Sequence, residues 1–458
     1  MEMIGKTWRP SRYILPSKEV FAGRDGQRYR VVYSTRSGTL AAVPLEKFTL
    51  IERNMVELLT PTELEYLAAR QIIVDSDEDE IQAVIAQQSE ASDSPKQRRF
   101  AILPTSLCNM GCDYCGQEHR PSAPTAAARA AVVRRVTAAL DDPECSLVEV
   151  NWFGGEPLVG KQVILSLGDE FRRRAEETGT EYRSAIVTNG SLLTVALLVD
   201  LHERAGITRV EVTLDGPPDV HDRRRPMKSG QPTFSRIVRV LAASLRTESL
   251  AELTFSVRTN VDERNIAEIL SYVSDPSLEL LRSPRVSFYF APVHPWGNDL
   301  ADLIPRRRRY ADAEVAWMTK LLERGLNVGT LPQGPVGIVC SAVTRRAELD
   351  DPTGRVFSCS EQPLVPSRAG TSLADARTLD PGALRPTGMF DGWHTQLVRG
   401  EVPCRECVLL PVCGGACPLA WSEGRVPCPS LKENAQERIR LAAALNGLTP
   451  VLDPEGRA

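Results

Sequence analysis

The sequence predicts an α/β protein, and three observations lead to that class. Between Phe100 and about Leu326, β-branched apolar runs alternate with helix-like stretches six times. Ahead of that block lies a short alternating hairpin followed by helical segments. Behind it periodicity fades, and Pro, Gly and Cys become dense. These changes set the expected boundaries: an N-terminal unit with its linker at 1–98, the alternating block at 99–328, a cysteine-rich segment at 329–440 and a tail at 441–458. Two to four domains agree with 458 residues at roughly 100–200 residues each.

In chain order, Arg28 to Tyr33 alternates as a strand, and Thr39 to Pro44 pairs with it across the Ser37-Gly38 turn. Helices are expected from Phe48 to Leu59 and from Pro61 to Arg70, the second opening on a Thr60 cap with Pro at its first position. The acidic run Asp75 to Glu80 reads as a solvated helix entry. Gln87 to Arg99, polar and basic with Ser and Pro, reads as a linker. Strands follow at 100–105, 147–153, 183–188, 208–214, 252–259 and 285–292. Helices are expected at 124–140, 161–177, 194–205, 233–247, 265–274 and 306–324. Six successive βα units imply a parallel sheet with right-handed crossovers. An open six-unit barrel and a doubly wound sheet both fit, and both put ligands at the C-terminal strand ends.

A net charge of -4 and 6% aromatic residues argue against nucleic acid as the main partner. There is no apolar run of about 18 residues and no signal-peptide core, so a cytoplasmic protein without a membrane partner is expected. The 11 cysteines are polarised along the chain. Cys108 is the first, two more follow by Cys115, Cys145 stands alone, and the rest fall between Cys340 and Cys428. A disulfide framework is not distributed in this way. With little apolar material in the last segment, metal ligation would supply its folding energy.

Directly after the first strand comes Cys108-Asn-Met-Gly-Cys112-Asp-Tyr-Cys115. Three thiolates at this spacing can hold three irons of a cubane cluster and leave the fourth iron open to an external ligand. Chance yields only about 0.006 such patterns in this composition. A zinc site and a redox thiol pair are the alternatives. At the second strand end stands Phe153-Gly-Gly-Glu-Pro157. Bare glycines let main chain approach a ligand, and the carboxylate can accept from an ammonium group; taken alone, the motif is an ordinary tight turn. Val187-Thr-Asn-Gly190, Thr213-Leu-Asp-Gly216 and Val257-Arg-Thr-Asn260 end the third, fourth and fifth strands, where polar turns are also ordinary. The C-terminal set runs Cys340, Gly354, Cys359, then Cys404, Cys407, Cys413 and Cys417, then Cys428. Its middle four have a chance count of about 0.00015. Structural Cys₄ zinc is the alternative there.

Together these motifs resemble the radical S-adenosylmethionine (SAM) superfamily with a C-terminal SPASM domain, over most of the chain from about residue 100 to 440. The resemblance implies a partial (β/α)6 TIM-type barrel as the radical SAM core, with a small α+β N-terminal domain and a loop-rich iron–sulfur C-terminal domain. It implies three [4Fe-4S] clusters and SAM. Cys108, Cys112 and Cys115 would hold the SAM-binding cluster, with Tyr114 against the adenine. Gly154, Gly155, Glu156 and Pro157 would hold the SAM amino group. Thr188, Asn189, Asp215, Arg258 and Asn260 would contact its ribose and carboxylate. Cys404, Cys407, Cys413 and Cys428 would form an outer auxiliary cluster, and Cys340, Cys359 and Cys417 an inner one. Some relatives add a further cysteine where this chain has Gly334, so the inner cluster would have an open iron or a ligand from elsewhere. Cys145 is left as a structural residue.

Such enzymes generate a 5′-deoxyadenosyl radical, and auxiliary clusters suit a net oxidation of substrate. SPASM enzymes mostly act on peptides or proteins. The N-terminal unit loosely resembles winged-helix-like domains that grip leader peptides by strand addition; a plain capping domain is the alternative. The expected activity is therefore crosslinking (carbon–carbon, ether or thioether) of a ribosomally made precursor peptide, served by a flavodoxin- or ferredoxin-type electron donor. Sulfatase maturation to formylglycine and epimerisation are the alternatives. Sulfatase-maturating relatives carry an Asp general base directly after the cysteine matching Cys359; this chain has Ser360 and then Glu361, which can stand in as a catalytic base or be a surface carboxylate. Arg223–Arg225 and Arg306–Arg309 could meet an acidic leader, though solvated helix starts or ion pairs fit better. His221 reads as structural or as a minor lining residue of the site. A non-catalytic iron–sulfur carrier or a zinc scaffold would need no SAM-contact motifs.

Overall fold

In a computed structural model, residues 6–298 and 300–451 are described, and they divide between two compact units. One unit joins residues up to 92 with 330–340 and the chain from 392 onward; the other holds 93–329 and 341–391. The cysteine-rich segment expected at 329–440 thus divides between the two. The expected tail at 441–458 lies outside the described residues from 452 on.

The first unit begins with strands β1 (Trp8–Pro10), β2 (Ile14–Ala22), β3 (Arg28–Ser34) and β4 (Thr39–Pro44), then helices α1 (Leu45–Glu52) and α2 (Pro61–Ala69), strand β5 (Ile73–Asp75) and helix α3 (Glu80–Asp93). The β3–β4 hairpin forms as expected, with Ser34 opposite Thr39. Strand β2 escaped the sequence reading because Pro16 and the Lys18-Glu19 pair break its alternation, and a bulge lies between Pro16 and Val20. β3 is buried on both faces. Val32 packs with Ala41, Phe48 and Ile51, whereas Val31 and Tyr33 pack with Phe21 and with Ile439 of the helix Leu431–Leu445. α1 ends early, at Asn54 in the left-handed region (φ 55°), so the expected Phe48–Leu59 helix becomes a helix and a 3₁₀ turn. α2 opens on a full capping box between Thr60 and Glu63.

Two expectations fail around α3. The acidic run is not a solvated entry, because Glu80 is only 2% exposed. It accepts from Arg9 at 2.7 Å, from the Arg12 amide at 3.0 Å and from Ser11. The linker expected at 87–99 is instead the second half of α3, and the next strand begins at Gln97. Its polar side chains are used internally: Gln88 is buried and donates to Leu410 O.

The second unit carries the six expected strands, β6 (Gln97–Ile102), β7 (Leu147–Trp152), β8 (Glu181–Thr188), β9 (Ile207–Thr213), β10 (Thr254–Val261) and β11 (Val286–Pro292). Helices α4 (Ala126–Leu140), α5 (Lys161–Thr178), α6 (Val195–Ala205), α7 (Pro218–Arg224), α8 (Phe234–Ser244), α9 (Ile269–Val273) and α10 (Arg307–Glu323) alternate with them. All six strands pair in parallel and in sequence order. A doubly wound sheet would reverse that order at a switch point, so the sequential sheet is that of an open barrel. β12 (Asn327–Val328) extends it beyond β11, and β13 (Ala347–Asp350), β14 (Arg355–Phe357) and β15 (Ala374–Asp375) extend it beyond β6. No described helix is long and apolar enough to cross a membrane. Among the described residues no disulfide joins any of the cysteines.

Candidate active site

A cavity of about 380 Å³ opens at the C-terminal strand ends of the second unit. Its lining includes Cys108 and Cys112 from the loop after β6 and Pro292 and Val293 from the end of β11. On a flat sheet, strands about 4.8 Å apart would put those two ends about 24 Å from each other. The sheet therefore curls until its first and sixth strand ends share one cavity.

The cysteine loop is fixed from three sides. Gly155 supports it from behind: a Cβ there would lie 2.5 Å from Leu107 O. Glu156 N donates to Leu107 O at 2.8 Å. From the third strand end, Asn189 Nδ2 donates to Asn109 Oδ1 and Asn109 Nδ2 to Ser191 Oγ, both at 2.9 Å. Past the fourth strand, the backbone of 109–113 pairs antiparallel with 224–228. All three thiols reach the cavity. Burial pushes the Cys112 thiol up to about 11, so a bound cation is needed to hold it as thiolate. His119 Nδ1 donates to Ser106 O at 3.1 Å, which turns Nε2 toward Cys115 Sγ at 3.6 Å.

Two buried carboxylates organise the strand ends from behind. Glu156 accepts from Thr188 Oγ1 (2.7 Å), Asn189 N (2.7 Å) and Leu158 N (2.9 Å) and is 0% exposed. Burial pushes its carboxyl up, and these three donors oppose that shift. Asp215, also 0% exposed, accepts from Tyr114 Oη (2.5 Å), Asn260 N (2.7 Å) and Arg225 Nη1 (3.2 Å). Asp215 N in turn donates to His221 Nδ1 at 3.2 Å, so that ring is neutral; burial, aided by Arg225, lowers it to about 3. His221 is thus structural.

In the other unit, Cys404, Cys407, Cys413 and Cys428 line a separate cavity of about 120 Å³ with Leu409, Leu410 and Trp421. The chain between Cys413 and Cys417 runs through three left-handed residues, Gly414, Gly415 and Ala416 (φ 62°, 87° and 61°). Trp393 and Trp421 fasten that turn by donating indole N–H groups to Gly414 O (2.9 Å) and Gly415 O (2.8 Å). Cys340 and Cys417 belong to this unit, and Cys359 to the barrel unit.

Residues 102–257 match the family model described as the Radical SAM superfamily. This segment is a radical SAM domain. The chain is 24% identical over 323 residues to the serine-type anaerobic sulfatase-maturating enzyme of Klebsiella aerogenes, covering 68% of this chain and 77% of that one. Its fold is similar to that of native anSMEcpe, solved with bound AdoMet and Cp18Cys peptide (TM-score 0.56, 16% identity, 76% of this chain and 99% of that one). Streptococcus suis SuiB aligns over 92% of this chain and 97% of its own at 14% identity, with a TM-score of 0.46.

The cavity gathers Cys108, Cys112, Cys115, Tyr114, Gly154, Gly155, Thr188 and Asn189 from the matched segment and Arg258 and Asn260 from just beyond it. Three expected contacts, Glu156, Pro157 and Asp215, lie behind that lining. Glu156, expected to receive an ammonium group, accepts here from residues 158, 188 and 189. Glu361 is not a surface carboxylate: it lines the cavity, and burial pushes its carboxyl up against the pull of Arg258 and Arg368. Arg224 and Arg225 are neither solvated nor available to a leader. They pair with Asp262 (3.0 Å) and Asp215 (3.2 Å) in the interior. In the other arginine run, Arg308 and Arg309 pair with Asp312 and Glu263.

The sequence reading missed Glu211, Arg225, His119, His294 and Trp296, all of which line the radical SAM cavity. Glu211 offered one signal, a charged residue among the apolar positions of a parallel strand. Trp296 offered none, since its place depends on Gly116, where a Cβ would lie 1.8 Å from Trp296 O.

Proposed function

We propose that the chain is a radical SAM maturase that modifies a peptide or protein. The observation that carries this reading is one cavity in which the three cysteines of the SAM-cluster motif face Glu361 and Arg258. The donor set fits the group: three thiols at one cavity suit a [4Fe-4S] cluster with an open iron. When bound, cluster and SAM supply a 5′-deoxyadenosyl radical that removes a hydrogen from an unactivated carbon. Thr188, Asn189, Arg258 and Asn260 would hold SAM. Trp296 and His294 would screen the cavity from water. Glu361 would take the proton released on oxidation.

For the finer step, the reading is crosslink formation (carbon–carbon, ether or thioether) with net oxidation of a ribosomally made precursor peptide. Cys404, Cys407, Cys413 and Cys428, four thiols around one small apolar cavity, support an auxiliary cluster that accepts an electron. A second auxiliary cluster on Cys340, Cys359 and Cys417 is proposed from the SPASM resemblance alone. The N-terminal sheet supports a leader-binding role. β4 has a single neighbour in it, and extended peptides add to such edges. A cytoplasmic flavodoxin or ferredoxin would reduce the enzyme. Formylglycine formation is the second reading, favoured by the likeness to the sulfatase-maturating enzyme and by Glu361 at the cavity.

Mass spectrometry after anaerobic turnover separates these readings. A crosslink removes two hydrogens from the precursor and leaves no carbonyl, whereas formylglycine from serine removes two hydrogens and traps with a hydrazide. SAM cleavage without any change in either a precursor or a sulfatase-derived peptide would sink both.

A further inference from the structure

The barrel strands are apolar on one face only. Trp152, Ile186, Val210 and Phe255 form one row across the sheet, and all are buried. This is the helix-facing side, because Trp152 stacks on Phe171 of α5. The next residue down each strand points the other way, into the barrel. That row is Asn151, Ala185, Arg209 and Thr254. Asn151, Arg209 and Thr254 are exposed, and Glu211, Ser256 and Arg258 above them on the same face are half-buried. The interior of a closed (β/α)8 barrel is packed with Val, Ile and Leu. This barrel instead has a polar inner face that water reaches, so its interior is open to a ligand below the three cysteines.

Most charges on that face are matched. Arg99 pairs with Glu149 at 2.7 Å, Arg183 with Glu181 at 2.7 Å, and Arg258 lies 3.8 Å from Glu211. Arg209 is the exception: its side chain has no hydrogen-bond or ion-pair partner among the described residues. A bulge sets its aim. Ser184 stands beside Ile207 and Ala185 beside Arg209, so Thr208 is the extra residue of β9. Ser184 faces the helices, where it accepts from Trp152 Nε1 at 3.0 Å, and Ile207 is buried on that side with it. Arg209 goes with Ala185 to the interior. At about 4.8 Å per strand, Asn151 and Arg209 stand about 10 Å apart with only an alanine methyl between them. A free guanidinium and an amide over a shallow floor suit a carboxylate, which the planar guanidinium can bind through two N–H groups.

We infer that Arg209 selects an acidic side chain of the substrate: a peptide lying along the inner face sets an Asp or Glu on Arg209, with Asn151 beside it, while the residue to be modified reaches the cavity above. Arg209 precedes Glu211, which lines that cavity, by two residues or about 7 Å of strand. An extended peptide covers that length in about two residues, so the acidic residue lies about two positions from the reacting one. The inference rests on the maturase reading and adds a sequence preference to it. Arg209 is on this account a specificity residue, remote from the reacting atoms.

The test uses full-length protein, reconstituted anaerobically and supplied with SAM, and a defined pool of short peptides capped at both ends so that no terminal carboxylate competes. The peptides come in matched sets that differ only by Asp, Asn or Lys at one position. Bound peptides are separated by gel filtration and identified by mass spectrometry. Wild-type protein should retain the Asp members about three- to fivefold over their Asn partners, the scale of one partly exposed ion pair, and high salt should erase the preference. Arg209→Lys should keep the preference, Arg209→Gln should lose it, and Arg209→Glu should turn it toward the Lys members. The side chain is exposed, so these variants leave the barrel core intact. Retained peptides with no Asp preference in wild-type protein, or an equal preference in Arg209→Gln, overturn the inference and leave the maturase reading standing. Retention of no peptide by wild-type protein counts against the maturase reading and overturns the inference with it.

Discussion

Cys108, Cys112 and Cys115 sit on a loop braced on three sides by main chain and asparagine amides, whereas Cys404, Cys407, Cys413 and Cys428 sit on short turns. The first loop borders a cavity of about 380 Å³ that also holds Glu211, Arg258 and Glu361. The second set borders about 120 Å³, where apolar residues such as Leu409, Leu410 and Trp421 and a single charged residue, Lys432, complete the lining. The helices beside it, Leu410–Cys413 and Pro418–Ser422, have four and five residues. Helices so short have no stability of their own. The contrast teaches that thiols at a reactive centre are carried by a scaffold that stands without metal, which leaves one side open. If Cys404, Cys407, Cys413 and Cys428 hold an auxiliary cluster, as proposed, their turns can be shaped by the metal itself, because nothing else has to enter.

The largest effects should come from removing either set. Cys108/Cys112/Cys115→Ala should abolish SAM cleavage and remove about four of about twelve irons, while the barrel melts as before. Glu361→Gln should retain all iron and SAM cleavage but lower peptide turnover by about 10²–10⁴-fold, the usual contribution of a general base. Burial raises the Glu361 carboxyl, with Arg258 and Arg368 pulling back, and the base form exists only above that raised value. Turnover should therefore rise with pH along a limb that begins above the ordinary carboxylate value of about 4.3 and is missing in the variant. Iron removal should act on stability unevenly. Hydrogen exchange should accelerate through 404–428, where on the proposed reading ligation supplies folding energy, while the Gly111 and Asp113 amides keep their protection. Equal loss at both sites would break the comparison.

These differences also decide what could be read from the chain. The six barrel strands were legible because in each a short stretch of buried apolar residues alternates with polar ones between turn signals, and the cysteines of both sites were legible, the first set from its spacing and the grouping of the second from the family resemblance. Strand β2 and helix α3 were not: Pro16 hides one, and the polar sequence of the other buries Gln88 and Glu80 through partners distant in the chain. In the site, the identities of Glu156 and Asp215 stood out in their motifs, but their roles did not. A carboxylate at a strand end looks the same whether it meets a ligand or a buried amide, and only tertiary partners distinguish the two.

The smallest effect expected concerns how the reactive loop is braced. Glu156 satisfies three donors from within the interior, one of them the Thr188 hydroxyl. Glu156→Gln keeps the shape but turns an amide NH₂ toward donors that need an acceptor. One buried N–H or O–H is left unpaired, at about 1–3 kcal/mol. If Glu156 only braces, the variant should melt a few degrees lower and lose iron from the Cys108 site faster, with unchanged affinity for SAM once loaded, as measured by calorimetry on the reconstituted protein. A fall in SAM affinity with no change in melting would instead place Glu156 at the ligand, and the loop would owe its position to the 109–113 and 224–228 pairing alone. Gly155→Ala supplies the matching steric test. Its Cβ would meet Leu107 O at 2.5 Å, which obliges the loop to move, so iron retention at Cys108 should fall while the 404–428 site is untouched.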